Sequence, residues 1–177
     1  MGEAPVVETA RLILRPYRAG DADAVAAMMA DEEVMRHLGG HGIGREEAWR
    51  KLLCCHACWS LLGFGYWAVE RRSDGAMIGQ AGFADFQREM IPSLRGLPEM
   101  GWLLAREAFG QGYATEAAAA GLAWLDAALS PPETVAIIDH GNAASIRVAE
   151  KCGFAAGEPA LYRGESILLF RRRRAGA

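Results

Sequence analysis

No stretch of the chain approaches the roughly 20 consecutive apolar residues that a membrane-spanning helix needs, so no membrane role is expected. Charge of one sign is also missing. Nineteen Lys and Arg stand against 22 Asp and Glu, and the net charge of −3 argues against a protein that coats nucleic acid. The opening Met1-Gly2-Glu3-Ala4-Pro5 lacks the basic start and apolar stretch of a secretory signal, which makes a cytoplasmic location the expectation. There is no internal repeat, no low-complexity linker and no shift in composition that would divide the chain. Cysteine is scarce, with four residues. Cys54, Cys55 and Cys58 cluster with His56, but no second Cys/His pair lies at zinc-finger spacing, and adjacent Cys54 and Cys55 would point about 100° apart on a helix. Helix packing rather than metal binding is therefore expected of them, as is usual for a small, often buried side chain.

What is present fits one domain, residues 1–177. With 51% hydrophobic and 23% charged residues, a chain of 177 can bury roughly 70% of its unfolded surface without a disulfide or metal staple. Arg11-Leu12-Ile13-Leu14-Arg15 alternates as a half-buried strand. Asp21 has the chemistry of an N-cap for a helix carrying Val25, Met28 and Met29, and Gly39-Gly40 stops the segment that follows. A second helix is predicted from about Arg45 to Leu62, with Trp49, Leu52, Leu53, Trp59 and Leu62 available to a core. Tyr66–Val69 and Met77–Phe83 flank Ser73-Asp74-Gly75 as a hairpin would, and Gln87–Gly96 reads as a loop.

A further strand, Glu99–Leu104, leads through a glycine-rich turn into a helix from about Ala114 to Leu129. Thr134–Ile138 suits a buried strand. Asn142 is placed to cap a helix from Ala143 to Lys151, which Gly153-Phe154 would close as a Schellman motif with Cys152 facing the core. A closing strand lies near Ile167–Phe170, and Arg171–Arg174 together with the last three residues reads as a solvated basic tail. The fold class is α/β (α+β): a mixed, mostly antiparallel sheet of about six to seven strands with helices on both faces.

The turn Phe109-Gly110-Gln111-Gly112-Tyr113-Ala114 carries the clearest chemistry. Backbone N–H groups at a helix N-terminus have no partner inside the helix and favour an anion, and glycines let a phosphate approach the backbone closely. The turn lacks the third glycine of G-x-G-x-x-G and the Lys-Ser/Thr ending of a P-loop. Taken alone, it marks only an anion site or a tight strand-to-helix connection.

Three spaced segments give that turn a context: Thr9-Ala10-Arg11-Leu12-Ile13-Leu14-Arg15; Glu99-Met100-Gly101-Trp102 with Gly110-Gln111-Gly112-Tyr113-Ala114-Thr115-Glu116-Ala117; and Asn142-Ala143-Ala144-Ser145 through Gly153-Phe154. In this order the chain resembles the GNAT acetyltransferase superfamily, especially the RimJ/RimL-like branch of ribosomal-protein N-terminal acetyltransferases. The superfamily signature is [Gln/Arg]-x-x-Gly-x-[Gly/Ala]; Gly112 and Ala114 fit it, while Phe109 replaces the first residue. The resemblance implies acetyl-CoA as co-substrate and no metal. It also implies that backbone groups of Gln111, Gly112, Tyr113, Ala114 and Thr115 hold the pyrophosphate and that those of Leu103 and Leu104 hold the pantetheine arm.

Asn142 would reach the cofactor or serve only as a cap, and Arg147 and Lys151 are candidates for its 3′-phosphate. Glu99 is the candidate general base, or otherwise a strand-end carboxylate. Ser145 is the candidate donor to the leaving thiolate, or otherwise an N3 cap, with Tyr113 and Tyr162 as lesser alternatives. Direct transfer is expected, since no cysteine sits in a nucleophile arrangement. The acceptor would be a primary amine, either a protein N-terminus or a small molecule such as an aminoglycoside, polyamine or amino acid. A CoA-binding sensor without turnover is the alternative of another class. No nucleic-acid partner is expected, and a homodimer is compatible with the sequence.

Overall fold

The computed structural model describes residues 3–174. Alternation of apolar residues produces β1 (Val7–Glu8), β2 (Leu12–Arg15), β3 (Tyr66–Arg71), β4 (Met77–Ala84), β5 (Met90–Ile91), β6 (Glu99–Leu104), β7 (Glu133–Ile138), β8 (Glu158–Tyr162) and β9 (Glu165–Arg173). Helical spacing produces α1 (Ala22–Ala30), α2 (Glu32–Met35), α3 (Arg45–Leu62), α4 (Tyr113–Ala128) and α5 (Ala143–Lys151). The strands form one sheet in the order β1-β2-β3-β4-β6-β7-β9-β8-β5, antiparallel throughout except between β6 and β7.

The mixed, mostly antiparallel sheet is as expected, but among the described residues it has nine strands rather than six or seven. The additions are two-residue strands, β1 and β5, and a second arm to the last hairpin. Arg163 and Gly164 make the β8–β9 turn with φ of 53° and 82°, the two positive values that a tight hairpin connection demands. β5 falls within the segment read as a loop.

Strand parity sorts the core. Tyr66, Ala68, Ala84 and Leu103 face α1, α2 and the first half of α3 with Val25, Met28, Met29, Val34, Met35, Ala48 and Leu52. Trp67, Val69, Phe83, Met100 and Leu104 face α4 with Ala117, Ala118, Leu122 and Leu125. Trp59, near the end of α3, joins this second group and stacks edge-on with Trp67 and Trp124 at 4.7 and 5.1 Å. Of the α3 residues expected inside, Leu52 and Trp59 are buried, whereas Trp49, Leu53 and Leu62 are exposed.

Two local expectations are corrected. The Asp21 carboxylate makes no cap hydrogen bond to α1; it takes a bidentate pair from Arg15 at 2.8 Å on both nitrogens, burying both side chains. Arg171, Arg172 and Arg173 are not a solvated tail but the end of β9, paired to Val135, Thr134 and Glu133. Arg171 donates to Glu133 at 2.5 Å, and Arg172 grips Asp126 on α4 at 3.0 and 2.6 Å. Residues 175–177 of the expected tail lie outside the described residues. The Schellman ending of α5 is present: Phe154 N–H donates to Ala149 and Gly153 N–H to Glu150, with Gly153 at φ 83°.

Candidate active site

The one parallel junction in the sheet opens the site. Among the described residues β6 and β7 pair only at Glu99 and Val135, with Val135 N–H donating to Pro98 O at 3.1 Å. Beyond that point the two strands have no ladder between them. On its other edge β6 pairs fully with β4, and Ala105 N–H donates to Ile78 O at 2.8 Å. Backbone groups alternate sides along an antiparallel strand, so Gly101 and Leu103 point theirs at β4. Those of Trp102 and Leu104 point toward β7, where no strand receives them. The expected pantetheine contact therefore fits Leu104 but not Leu103, whose N–H and C=O face Gln80. The other free backbone groups on that edge belong to Trp102.

At the end of β6 the chain turns through Gly110 and Gly112, at φ 72° and 80°, left-handed values that favour glycine. Gly112 is the N-cap of α4, and the first intrahelical bond runs from Glu116 N–H to Gly112 O at 3.1 Å. The N–H groups of Gly112, Tyr113, Ala114 and Thr115 thus precede the helical ladder, and they donate to no group among the described residues, nor does that of Gln111. The turn is braced from behind. Arg11 Nη1 donates to Gln111 O at 2.9 Å, its Nε donates to Glu116 Oε2 at 2.6 Å, and its guanidinium lies 4.6 Å over the Tyr113 ring. Thr9 Oγ1 and the Arg11 N–H both donate to Glu116 Oε1, at 2.7 and 2.9 Å. Partial burial opposes the charge of Glu116, but the bonds from Thr9 and Arg11 outweigh it and hold the carboxyl below its usual range.

The other wall of the opening is α5. Asn142 caps it, its Oδ1 accepting from Ser145 N–H at 3.0 Å, which leaves the Asn142 amide nitrogen free of that duty. The Ser145 hydroxyl is not a cap: its Oγ accepts from the indole Nε1 of Trp102 at 3.2 Å, across from β6 to α5. Beyond the ends of β6 and β7, His37 Nδ1 meets Asp139 Oδ1 at 2.9 Å, so the segment after α2 touches the β7–α5 connection.

Glu99 sits at the closed end of the opening and is 5% exposed. Both of its oxygens are taken by Arg88, Nε to Oε2 at 2.7 Å and Nη2 to Oε1 at 2.8 Å. Arg88 also donates to Tyr162 Oη at 2.9 Å, and its guanidinium lies against the rings of Phe86 and Tyr162, at 4.5 and 4.9 Å. Through Arg88 the Glu99 carboxylate is tied to a wall built from residues 86–99 and β8. Tyr66 lies on the same face of the sheet.

Residues 11–155 match the family described as Acetyltransferase (GNAT) domain. The chain belongs to the GNAT acetyltransferase family. The protein YkkB of Bacillus subtilis (strain 168), uncharacterized, is 40% identical over 91 residues, 51% of each sequence, so this chain spans about half of that relative. A Bordetella pertussis structure named for the GnaT acetyltransferase family superposes with a TM-score of 0.82 at 30% identity, covering 96% of this chain and 99% of that one. RimL, a ribosomal L7/L12 alpha-N-protein acetyltransferase in complex with coenzyme A, superposes at 0.77 with 13% identity, covering 98% and 100%, a likeness of fold.

GNAT acetyltransferases use acetyl-CoA, and the turn suits its pyrophosphate: the N–H groups of residues 111–115 have no partner among the described residues, and Gly110 and Gly112 contribute no side chain there. Besides Trp102 and Arg88, sequence reading missed a groove beside the turn lined by Ala10, Arg11, Arg71, Arg72, Ser73 and Tyr113. Its only signal was the Arg71-Arg72 pair at the end of β3. Arg147 and Lys151 are exposed on α5. Among the described residues no three His, Cys, Asp or Glu converge as metal ligands. The cysteines are free; burial pushes the Cys55 thiol up to about 12 and raises those of Cys58 and Cys152.

Proposed function

We propose that the acceptor of this acetyltransferase is a protein N-terminal α-amine, acetylated by direct attack. The observation that carries this reading is the state of Glu99, whose two oxygens are given to Arg88. Without a free carboxylate, the acceptor that needs least deprotonation is favoured. An α-amine with pKa about 7.7–8.0 is roughly a tenth neutral at pH 7, whereas a lysine with pKa about 10.4 would cost roughly 4–5 kcal/mol to deprotonate there. RimL, a neighbour in fold, is an alpha-N-protein acetyltransferase, in keeping with this choice.

Acetyl-CoA supplies an acyl group already activated as a thioester. The N–H groups of Gln111, Gly112, Tyr113, Ala114 and Thr115 hold the pyrophosphate, and the exposed edge of Trp102 and Leu104 pairs with the arm. The Asn142 amide is free to donate to the arm, and the arginines beside Tyr113 suit the remaining phosphate. As the amine nitrogen bonds to the carbonyl carbon, the carbon–sulfur bond breaks and sulfur keeps the electron pair. The amine proton passes to water. Trp102 can only donate, so it occupies a lone pair of Ser145 and leaves the serine O–H to donate to the departing sulfur. The raised thiols of Cys55, Cys58 and Cys152 are poor nucleophiles, in keeping with transfer that forms no acyl-enzyme.

The test is a competition. Peptides with free N-termini, N-terminally blocked peptides carrying lysine, polyamines and aminoglycosides are mixed with acetyl-CoA and enzyme, and the products are read by mass spectrometry. Acetyl groups should appear first on free peptide N-termini. Acetylation confined to the small amines would overturn the acceptor assignment, and acetyl-CoA binding with no product would favour a sensor.

A further inference from the structure

Tyr66 ends in a hydroxyl that the fold delivers to the opening and then leaves without a protein partner. Its strand places it opposite Gly82 on β4, and Gly82 stands opposite Gly101 on β6. Its ring is free to lie across two strands because Gly101 carries no side chain. A Cβ added at Gly101 would come within 2.2 Å of Tyr66 Oη. The ring is held along its length, with Phe86 at 6.4 Å and the Tyr66 carbonyl fixed by Trp59 Nε1 at 3.0 Å. The residue is 7% exposed, yet its Oη makes no hydrogen bond among the described residues. Among the described residues no sealed side-chain polar atom lacks a partner, so this Oη is not shut in the core but keeps access to the open gap, where it can meet a ligand acceptor.

The place where it ends decides which partner. Gly101 stands two residues past the pairing of Glu99 with Val135, and its neighbour Trp102 turns a backbone N–H into the gap beside β7. Ser145, the proposed sulfur contact, lies against Trp102 from the opposite face. A thioester whose sulfur sits near Ser145 has its carbonyl beside Gly101 and Trp102. We propose that Tyr66 Oη donates a hydrogen bond to the thioester carbonyl oxygen of bound acetyl-CoA, completing with the Trp102 N–H a two-donor site for the charge that develops there. This rests on the placement of acetyl-CoA argued above. Burial holds the phenol protonated, well above its usual range, so it remains a donor at any working pH.

The test does not depend on knowing the acceptor. Acetyl-CoA labelled with 13C at the thioester carbonyl is added to the wild type, Tyr66→Phe and Gly101→Ala, and the carbonyl stretch is read by isotope-edited infrared difference spectroscopy, with melting shifts reporting binding. The wild type should show the band below its position in water, and both variants should move it back upward while still binding. Turnover of Tyr66→Phe should fall about 10- to 100-fold with acetyl-CoA KM within about twofold. Identical band positions in bound wild type and Tyr66→Phe would overturn the proposal and leave the cofactor site standing. Failure of the wild type to bind acetyl-CoA would overturn both.

Discussion

The Trp102–Ser145 bond makes two residues act as one at the smallest scale. Truncating either should disturb the leaving-group end of the reaction and little else, because neither touches the pyrophosphate turn. Trp102→Phe and Ser145→Ala are each expected to lower kcat several-fold with acetyl-CoA affinity nearly unchanged. If Trp102 acts through the serine, the double variant should be no worse than Ser145→Ala; additive losses in that cycle would show that Trp102 works independently. Glu99 leads to the opposite expectation. In Glu99→Gln the acid limb of the kcat/KM profile should stay where the acceptor amine puts it, near pH 8. The variant should lose stability, about 2 kcal/mol, less than for a fully buried pair because the Arg88 side chain keeps 20% exposure. A limb that vanished or moved would return Glu99 to the role of base. Sequence could place Glu99 at the start of the strand that leads to the turn but could not see Arg88, eleven residues away, swing back onto it.

At the scale of elements, the motif Thr9–Arg11 and the first turn of α4 form a single unit through Glu116. The sign of its pH dependence follows from the lowered pKa. Stability from Glu116 is complete above its unfolded value, about 4.3, and is lost as pH falls through the lower folded value. Glu116→Gln should therefore melt lower than wild type at pH 7, and the gap should narrow below about pH 4, as scanning calorimetry across that range would record. The helices were legible because caps and periodicity are local: α3 and α5 have the expected bounds, and α4 is displaced by one residue. The sheet was less so. β1 and β5 are two residues long and exist only because a partner strand pairs with them, which no local pattern encodes. Arg171, Arg172 and Arg173 looked solvated because their partners, Glu133 and Asp126, lie about 40 residues away in sequence. Parity within β6, and hence the exchange of Leu103 for Trp102, required the β4 register.

The whole molecule is a sheet whose two parts, β1–β4 with β6 and β7 with β9, β8 and β5, meet at one backbone pairing among the described residues. Helices α4 and α5 tie the parts together on one face, with Arg172 clamped to Asp126 between β9 and α4. A ligand laid along the open edge of β6, on the α4 turn and against α5 touches both parts. Binding to the folded state alone adds RT ln(1 + [L]/Kd), about 2.7 kcal/mol at a hundredfold excess over Kd. For a chain of this size each kcal/mol raises Tm by about 2–4 °C, so acetyl-CoA should raise it by about 5–11 °C. Gly112→Val is the control, since a side chain at φ 80° strains the turn. The variant should lose most of the ligand shift while its own melting temperature falls only a few degrees. An equal shift in both proteins would move the cofactor away from this turn, and no shift in the wild type would remove it from the cleft altogether.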